Sequence, residues 1–226
     1  MKHIQRYLTV TIFAIAAALF LYSCRGGNNG YIVDPMVADI VVLDKVSENG
    51  TCFQLSLPES EDIIDYHTAQ KIPAEQIPEG DCVYIRYATV GHQPYTSGPI
   101  ELYSISPINN FKAEVAEIDK TDIFSEGPSV TVNAIWPMMS RVIMYAALPY
   151  SSSKRTIKML VDKETLEYDT PVAYLYHDLE GTGDGFDRNY YLAFDFSALR
   201  EEYKFNEIIV RVLDMKLGAT QFRIKF

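Results

Sequence analysis

The chain has 226 residues, 48% of them hydrophobic and 22% charged, with 20 Lys+Arg against 30 Asp+Glu. That apolar content supports a packed core and excludes a disordered chain, and 12 Gly and 11 Pro without a period exclude a collagen-like one. A net charge of -10 argues against nucleic-acid binding, whose affinity comes mainly from Lys and Arg meeting phosphate.

The N-terminus reads as an address. Lys2 and Arg6 form a cationic start, and Tyr7 to Leu21 is a largely apolar stretch of 15 residues. That is short for a permanent membrane helix, which needs about 20. Leu21-Tyr22-Ser23-Cys24 has the pattern of a lipobox: an aliphatic residue, a small residue before the cleaved bond, then Cys. Tyr22 is bulky for its place, and an ordinary signal peptide or an uncleaved anchor is the alternative. The reading predicts a signal peptide over 1–23 and lipidation of Cys24. Two or more acyl chains at about 0.8 kcal/mol per buried methylene hold a protein stably to a membrane. Residues 24–36 then form a lipidated tether, with Arg25 to Gly30 as a flexible polar spacer.

Strand-period alternation dominates the rest. Ala38, Ile40 and Val42 alternate with Asp39 and Val41 in a first strand that runs to Val46. Glu48-Asn49-Gly50 is a turn signal, because Asn-Gly tolerates positive φ. Phe53, Leu55 and Leu57 then face opposite to Cys52, Gln54 and Ser56, which predicts a hairpin. Pro58 to Gly80 is loop-rich, with a short helical turn predicted at Glu59 to Tyr66. Strands follow at Val83 to Tyr87 and Ile100 to Ser106. Phe111 to Ile118 fits either a closing strand or two helical turns. Seven further strands are predicted at Ser129–Ile135, Arg141–Leu148, Arg155–Val161, Pro171–His177, Tyr190–Phe196, Glu207–Asp214 and Thr220–Phe226. Their spacing near ten residues suggests a β-sandwich. One short helix fits Ser197 to Tyr203, with Ser197 as its N-cap.

The order of these parts resembles the NigD-like lipoproteins of Gram-negative bacteria. The likeness rests on the lipobox, the Asp39 to Leu57 hairpin, and Glu79-Gly80-Asp81 leading into Val83 to Tyr87. Farther on it rests on Val130 to Trp136, on Leu175-Tyr176-His177-Asp178 with Gly183-Asp184, and on Leu192 to Leu199. The family pattern has Arg-His-Asn where this chain has Tyr176-His177-Asp178, so no role tied to that Arg carries over. The resemblance implies an all-β protein: an OB-like small barrel over 37–120, then an immunoglobulin-like sandwich of about seven strands over 121–226. It implies no enzymatic activity.

Several residues invite a functional reading. Cys52 and Cys82 sit in an oxidising compartment if the signal is real, where a disulfide is permitted. Each lies near the start of its strand, so antiparallel pairing of those two strands would set them at opposite ends, and two separate side chains are the alternative. Asp178, Glu180, Asp184 and Asp187 crowd a Gly-rich loop with the oxygen ligands that calcium needs, but their spacing fits no EF-hand and a solvated acidic turn between strands is the commoner explanation. His67, His92 and His177 have no zinc-ligand spacing, and no nucleophile elbow, P-loop or dinucleotide glycine pattern is present, so no cofactor is implied. Tyr84, Tyr95, Tyr103, Tyr150, Tyr174, Tyr176 and Tyr190 are stacking-platform candidates, each with a purely structural alternative. Tyr174, Tyr176, His177 and Tyr95 are the partner-binding candidates. Trp136 before Pro137 is expected to fill the sandwich core. Together these point to a non-catalytic, lipid-anchored protein of the cell envelope, expected at the outer membrane, that binds a protein or glycan and no nucleic acid. An assembly component of a surface complex and a metal-dependent hydrolase are the alternatives.

Overall fold

The structure is a computed structural model that describes residues 36–226, apart from 59, 61, 74, 121–122, 125–128, 151–153 and 181–184. The signal over 1–23, Cys24 and all of the tether but Met36 lie outside the described residues. Five strands, β1 (Val37–Ser47), β2 (Gly50–Ser56), β3 (Ile63–Thr68), β4 (Cys82–Thr89) and β5 (Gly98–Pro107), close into a barrel in the order β1-β2-β3-β5-β4. That is the strand order of an OB fold. Its interior is filled by Val41 and Leu43, Phe53 and Leu55, Ile64 and Tyr66, and Val83, Ile85 and Tyr87, all buried. These are alternate residues of their strands, so one side of every strand faces inward. The β1–β2 turn needs glycine at position 50. Gly50 has φ +126, and a Cβ there would come within 1.9 Å of the Thr68 carbonyl oxygen.

The helical turn expected at Glu59 to Tyr66 is instead strand β3, paired antiparallel to β2 from Thr51↔Thr68 to Ser56↔Ile63. Ile64, Tyr66 and Thr68 are buried while Ile63, Asp65 and His67 are exposed, a period of two that a helix cannot satisfy. Its β-branched and aromatic residues favour the pleated surface.

The second body is an eight-stranded sheet. Its strands are β6 (Asn109–Ala116), β7 (Thr131–Met138), β8 (Arg141–Pro149), β9 (Arg155–Asp162), β10 (Val172–Leu179), β11 (Asp187–Asp195), β12 (Glu207–Asp214) and β13 (Gly218–Lys225). The order is β13-β12-β10-β9-β6-β11-β8-β7, and the seven strands expected from 129 onward are all present. The eighth, β6, corrects the expected barrel segment 37–120: the barrel strands end at Pro107, and Phe111 lies in a strand of the second sheet. Residues 109–112 of β6 run parallel to β11, and residues 113–116 run parallel to β9. One strand therefore switches partners midway and joins the two halves of the sandwich. The pairings of β6 and the parallel pairing of β10 with β12 depart from an all-antiparallel immunoglobulin pattern.

Asp214 laces the sheet toward closure. Its carboxylate accepts from the backbone N–H of Val132 at 2.9 Å, Lys216 at 2.8 Å and Leu217 at 2.9 Å, while Val130 bonds the backbone of Leu213 and Met215. Burial pushes the Asp214 pKa up, but these three donors outweigh it and hold the carboxyl below its ordinary range. Helix α1 (Ser197–Tyr203) follows β11. Phe196, not Ser197, occupies the N-cap, and the Asp195 carboxylate accepts from the Ser197 N–H at 2.8 Å, so the cap comes from two residues upstream. Arg200 on α1 bonds Ser140 Oγ and Asn206 Oδ1 and covers the Phe226 ring, tying the helix to the β7–β8 turn and the C-terminus.

The two bodies share a core. Ile40, Val42 and Tyr84 on the outside of β1 and β4 pack in one cluster with Trp136, Met138, Ile143 and Ala193 from the outer face of β7, β8 and β11. This explains why β1 is buried on both faces from Ile40 to Leu43. Trp136 accordingly fills the junction between barrel and sheet, not the sandwich interior. Arg141 donates to the Gly80 carbonyl at 2.8 Å across the same junction.

Candidate functional site

The partner-binding candidates fall into two groups. Tyr174, Tyr176 and His177 lie together on β10, and Tyr95 lies between β4 and β5 of the barrel. Tyr174 is buried, its ring packed against Phe124 at 5.9 Å, with Arg211 over it and donating to its hydroxyl at 3.1 Å. A covered ring cannot serve as an open stacking platform. His177 is buried too, and Tyr176 is half-buried. Of the calcium candidates, Asp184 lies outside the described residues, Glu180 pairs with Lys154 at 3.8 Å, and Asp187 is exposed. No cluster of three or more His, Cys, Asp or Glu able to hold a metal occurs among the described residues.

Cys52 and Cys82 are both free thiols. Their strands are not neighbours: β1 runs between β2 and β4, with Lys45 opposite Cys52 and Val42 opposite Cys82. Two strand spacings plus the offset along β1 exceed the reach of a disulfide, about 7 Å between Cα atoms.

Tyr95 leads to a polar chain at one end of the barrel. It is exposed, with φ 61, in the left-handed region that a bulky residue enters only at a cost of about 1–3 kcal/mol. Its backbone bonds the buried Tyr66 hydroxyl, which is 3.1 Å from the Tyr87 hydroxyl, which in turn donates to Asp39 Oδ2 at 2.9 Å. Desolvation raises the Asp39 pKa despite the Tyr87 bond. Burial likewise raises Tyr87, helped by Tyr66 and by the Asp39 charge. The chain satisfies three polar groups inside an apolar barrel, as buried groups require. Its sequence signal was Asp39 on the same strand face as Val41 and Leu43.

A second arrangement faces outward. Along β8, Val142, Met144, Ala146 and Leu148 point into the sandwich core, leaving Ile143, Tyr145 and Ala147 on the outer face. The barrel covers this face at Ile143 and Ala193, and beyond that footprint Asn133, Ala134 and Asn189 are exposed. Three tyrosines mark the boundary. Tyr84 of β4 stacks on Tyr191 of β11 at 5.9 Å and 13°, and Tyr191 stacks on Tyr145 of β8 at 4.7 Å and 28°. Next to Tyr145 lies a shallow groove of about 460 Å3, lined by Thr131, Asn133, Asn189, Asp187 and Lys216 among others.

Asn133 reaches this face through a β-bulge. Val132 opposes Ala146 and Ala134 opposes Tyr145, which leaves Asn133 as the extra residue of β7. The bulge shifts the strand's phase, so Val132 and Ile135 both pack inward while Asn133 points out and donates to Asn189 Oδ1 at 3.3 Å. Bulges recur where a strand must re-aim a side chain. Tyr84 was among the tyrosines noted in the sequence. Tyr145, Tyr191, Asn133 and Asn189 were not, since only the stacking and the bulge set them apart from ordinary strand residues.

No protein-family model matches the chain, and no curated protein sequence matches it. Solved structures do. A protein of unknown function, DUF1344, from Bacteroides vulgatus aligns with TM-score 0.65 at 13% identity, covering 84% of this chain and 90% of that one. A candidate lipoprotein from Bacteroides fragilis gives TM-score 0.59 at 11% identity, covering 84% and 98%. A NigD-like immunity protein from Bacteroides caccae gives 0.54 at 15%, covering 82% and 91%. The chain therefore has the barrel-plus-sandwich fold that these three proteins, the NigD-like one among them, also adopt.

Proposed function

We propose that this chain is a non-catalytic protein of the cell envelope, anchored through a lipid on Cys24, that holds a protein or glycan partner on the open outer face of β7, β8 and β11. The observation that carries the reading is the Tyr84–Tyr191–Tyr145 stack bordering a polar groove. Aromatic rings held rigid by their neighbours supply contact area at low entropic cost, which is why they dominate binding hot spots. The anchor is supported by the Leu21-Tyr22-Ser23-Cys24 pattern and by a structural neighbour described as a candidate lipoprotein. A binding role is supported by another neighbour described as an immunity protein.

Two measurements test it. Cys24→Ala should move the protein from the membrane to the soluble fraction, and a variant that stays firmly embedded in lipid overturns the anchor. A photo-crosslinker at Met215, which is half exposed and lines the groove, should capture a defined partner in intact cells. Repeated failure to capture any partner there, with the protein folded and abundant, overturns the binding face.

A further inference from the structure

We propose that the groove beside Tyr145 is a saccharide subsite, in which the ring stacks on the apolar face of a neutral sugar and Asn133 and Asn189 bond its hydroxyls. The inference rests on the reading that this face binds a partner, and names that partner's chemistry.

The lining decides the ligand class. One carboxylate, Asp187, and one ammonium, Lys216, leave the groove without formal charge, although the whole chain carries -10. A phosphate or acidic ligand would meet no cationic cluster here, and a cationic one no acidic cluster. The remaining polar groups are two amides and the hydroxyls of Thr131 and Tyr145. Each amide carries two N–H donors and a carbonyl acceptor, and a hydroxyl both donates and accepts. That mixture matches vicinal sugar hydroxyls, which also donate and accept. A purely apolar ligand would bury these groups without giving them partners, which disfavours it.

Geometry supplies the second argument. Tyr191 packs on Tyr145 at 4.7 Å and is itself backed by Tyr84, so the platform is fixed before a ligand arrives. Asn133 is the extra residue of the bulge and is exposed on this face, and its bond to Asn189 brings the two amides together. Preorganised polar groups beside an aromatic wall are how small-ligand sites fix orientation, and about 460 Å3 lies within the range of roughly 300–1,000 Å3 that such sites span.

The test is calorimetric titration of the full chain in detergent with neutral gluco-, manno-, galacto- and N-acetylglucosamine hexasaccharides. At least one should bind saturably, with an affinity that changes little between about 50 and 500 mM salt, because no net charge is neutralised. Tyr145→Ala should weaken binding by roughly tenfold or more, and Tyr145→Phe should retain it. Because Tyr145 is half-buried, the exposed Asn189→Ala serves as a variant that leaves the fold intact and should weaken binding several-fold. The inference is overturned if no neutral hexasaccharide binds. It is equally overturned if binding is unchanged in both Tyr145→Ala and Asn189→Ala, or collapses with added salt. A protein captured at Met215 alongside inert sugars would sink this inference and leave the proposed function standing.

Discussion

The side chain of Asn110 brackets the backbone of Cys82: its Oδ1 accepts from the Cys82 N–H at 2.8 Å, and its Nδ2 donates to the Cys82 carbonyl at 3.0 Å. Asn110 stands near the start of β6 and Cys82 opens β4, so one amide acts as an additional rung between the second sheet and the barrel. The sequence singles out Cys82 as a thiol but gives no sign of its tie to Asn110. Their meeting sets where the chain leaves the barrel and enters the sandwich.

Asn110→Ala should destabilise the protein by about 1–3 kcal/mol, because it strands a backbone donor and acceptor at the start of a buried strand. Urea unfolding measures this. Asn110→Asp keeps the acceptor but sets a carboxylate oxygen against the Cys82 carbonyl where the donor stood, and should be at least as destabilising as Asn110→Ala. A change within experimental error for Asn110→Ala would show that water replaces the amide at no cost.

The same enclosure protects the Cys82 thiol. Burial pushes its pKa up to about 12, with Arg141 opposing and Asp195 and Asp81 adding to the rise. Thiolate is the reactive form, so native Cys82 should resist alkylation at pH 8 while the half-buried Cys52 is modified first. Peptide mapping after denaturation should recover both as free thiols. A disulfide-linked Cys52–Cys82 peptide would contradict the strand order.

Acid stability should depend on Asp214. Its folded pKa lies below the unfolded value of about 3.9, so its contribution is fully present above that value and is lost as pH falls through the folded pKa. Asp214→Asn should cost about 1–3 kcal/mol at pH 7, since one carboxylate oxygen that accepts a backbone bond is gone. The gap to wild type should narrow as the pH is taken below about 4. A gap that stays constant down to pH 2 would mean that the carboxylate charge contributes nothing.

Asp39 should behave in the opposite sense. Its folded pKa is raised by burial, so the folded state binds more protons than the unfolded chain between the two pKa values. Wild-type stability therefore falls as pH rises through that window. Asp39→Asn keeps an oxygen for the Tyr87 hydroxyl and removes the buried charge, so it should be at least as stable as wild type at pH 7. Near pH 4 and below the two should converge. A clear loss of stability at pH 7 would reveal a cationic partner for Asp39.

Alternation made most strands legible. The β1–β2 hairpin, β4, β5 and the seven strands from β7 to β13 follow from period-two patterning and from turn residues such as Asn49-Gly50, because each strand buries one side. Glu59 to Tyr66 reads as a helical turn because the β3 pattern from Ile63 is short and sits inside the loop-rich stretch from Pro58 to Gly80. The β6 segment was ambiguous for a different reason. Its halves pair with β11 and β9 through contacts more than 40 residues away, and no local pattern encodes a partner switch. Trp136 shows the same limit: its size marked it as packing, but the cluster it joins is shared with the other body.

The candidate site was less legible. Tyr174 and Tyr95 looked alike in the sequence, yet Phe124 and Arg211 cover one while the other stands exposed at the barrel end. Tyr145 and Asn133 carry no motif. The stack on Tyr191 and the pairing of the bulged Asn133 with Asn189 arise only once β7, β8 and β11 are laid side by side.

Composition and the two-residue period determined that this is an acidic, strand-rich protein with sandwich-spaced strands in its second half, because those features are written in neighbouring residues; the barrel ahead of them was implied by the family resemblance. Which strand faces lie between the bodies, which thiols stay apart and which tyrosines meet depended on pairings between distant segments. Those pairings are set by how two apolar surfaces fit together, and that fit exists only in the folded chain.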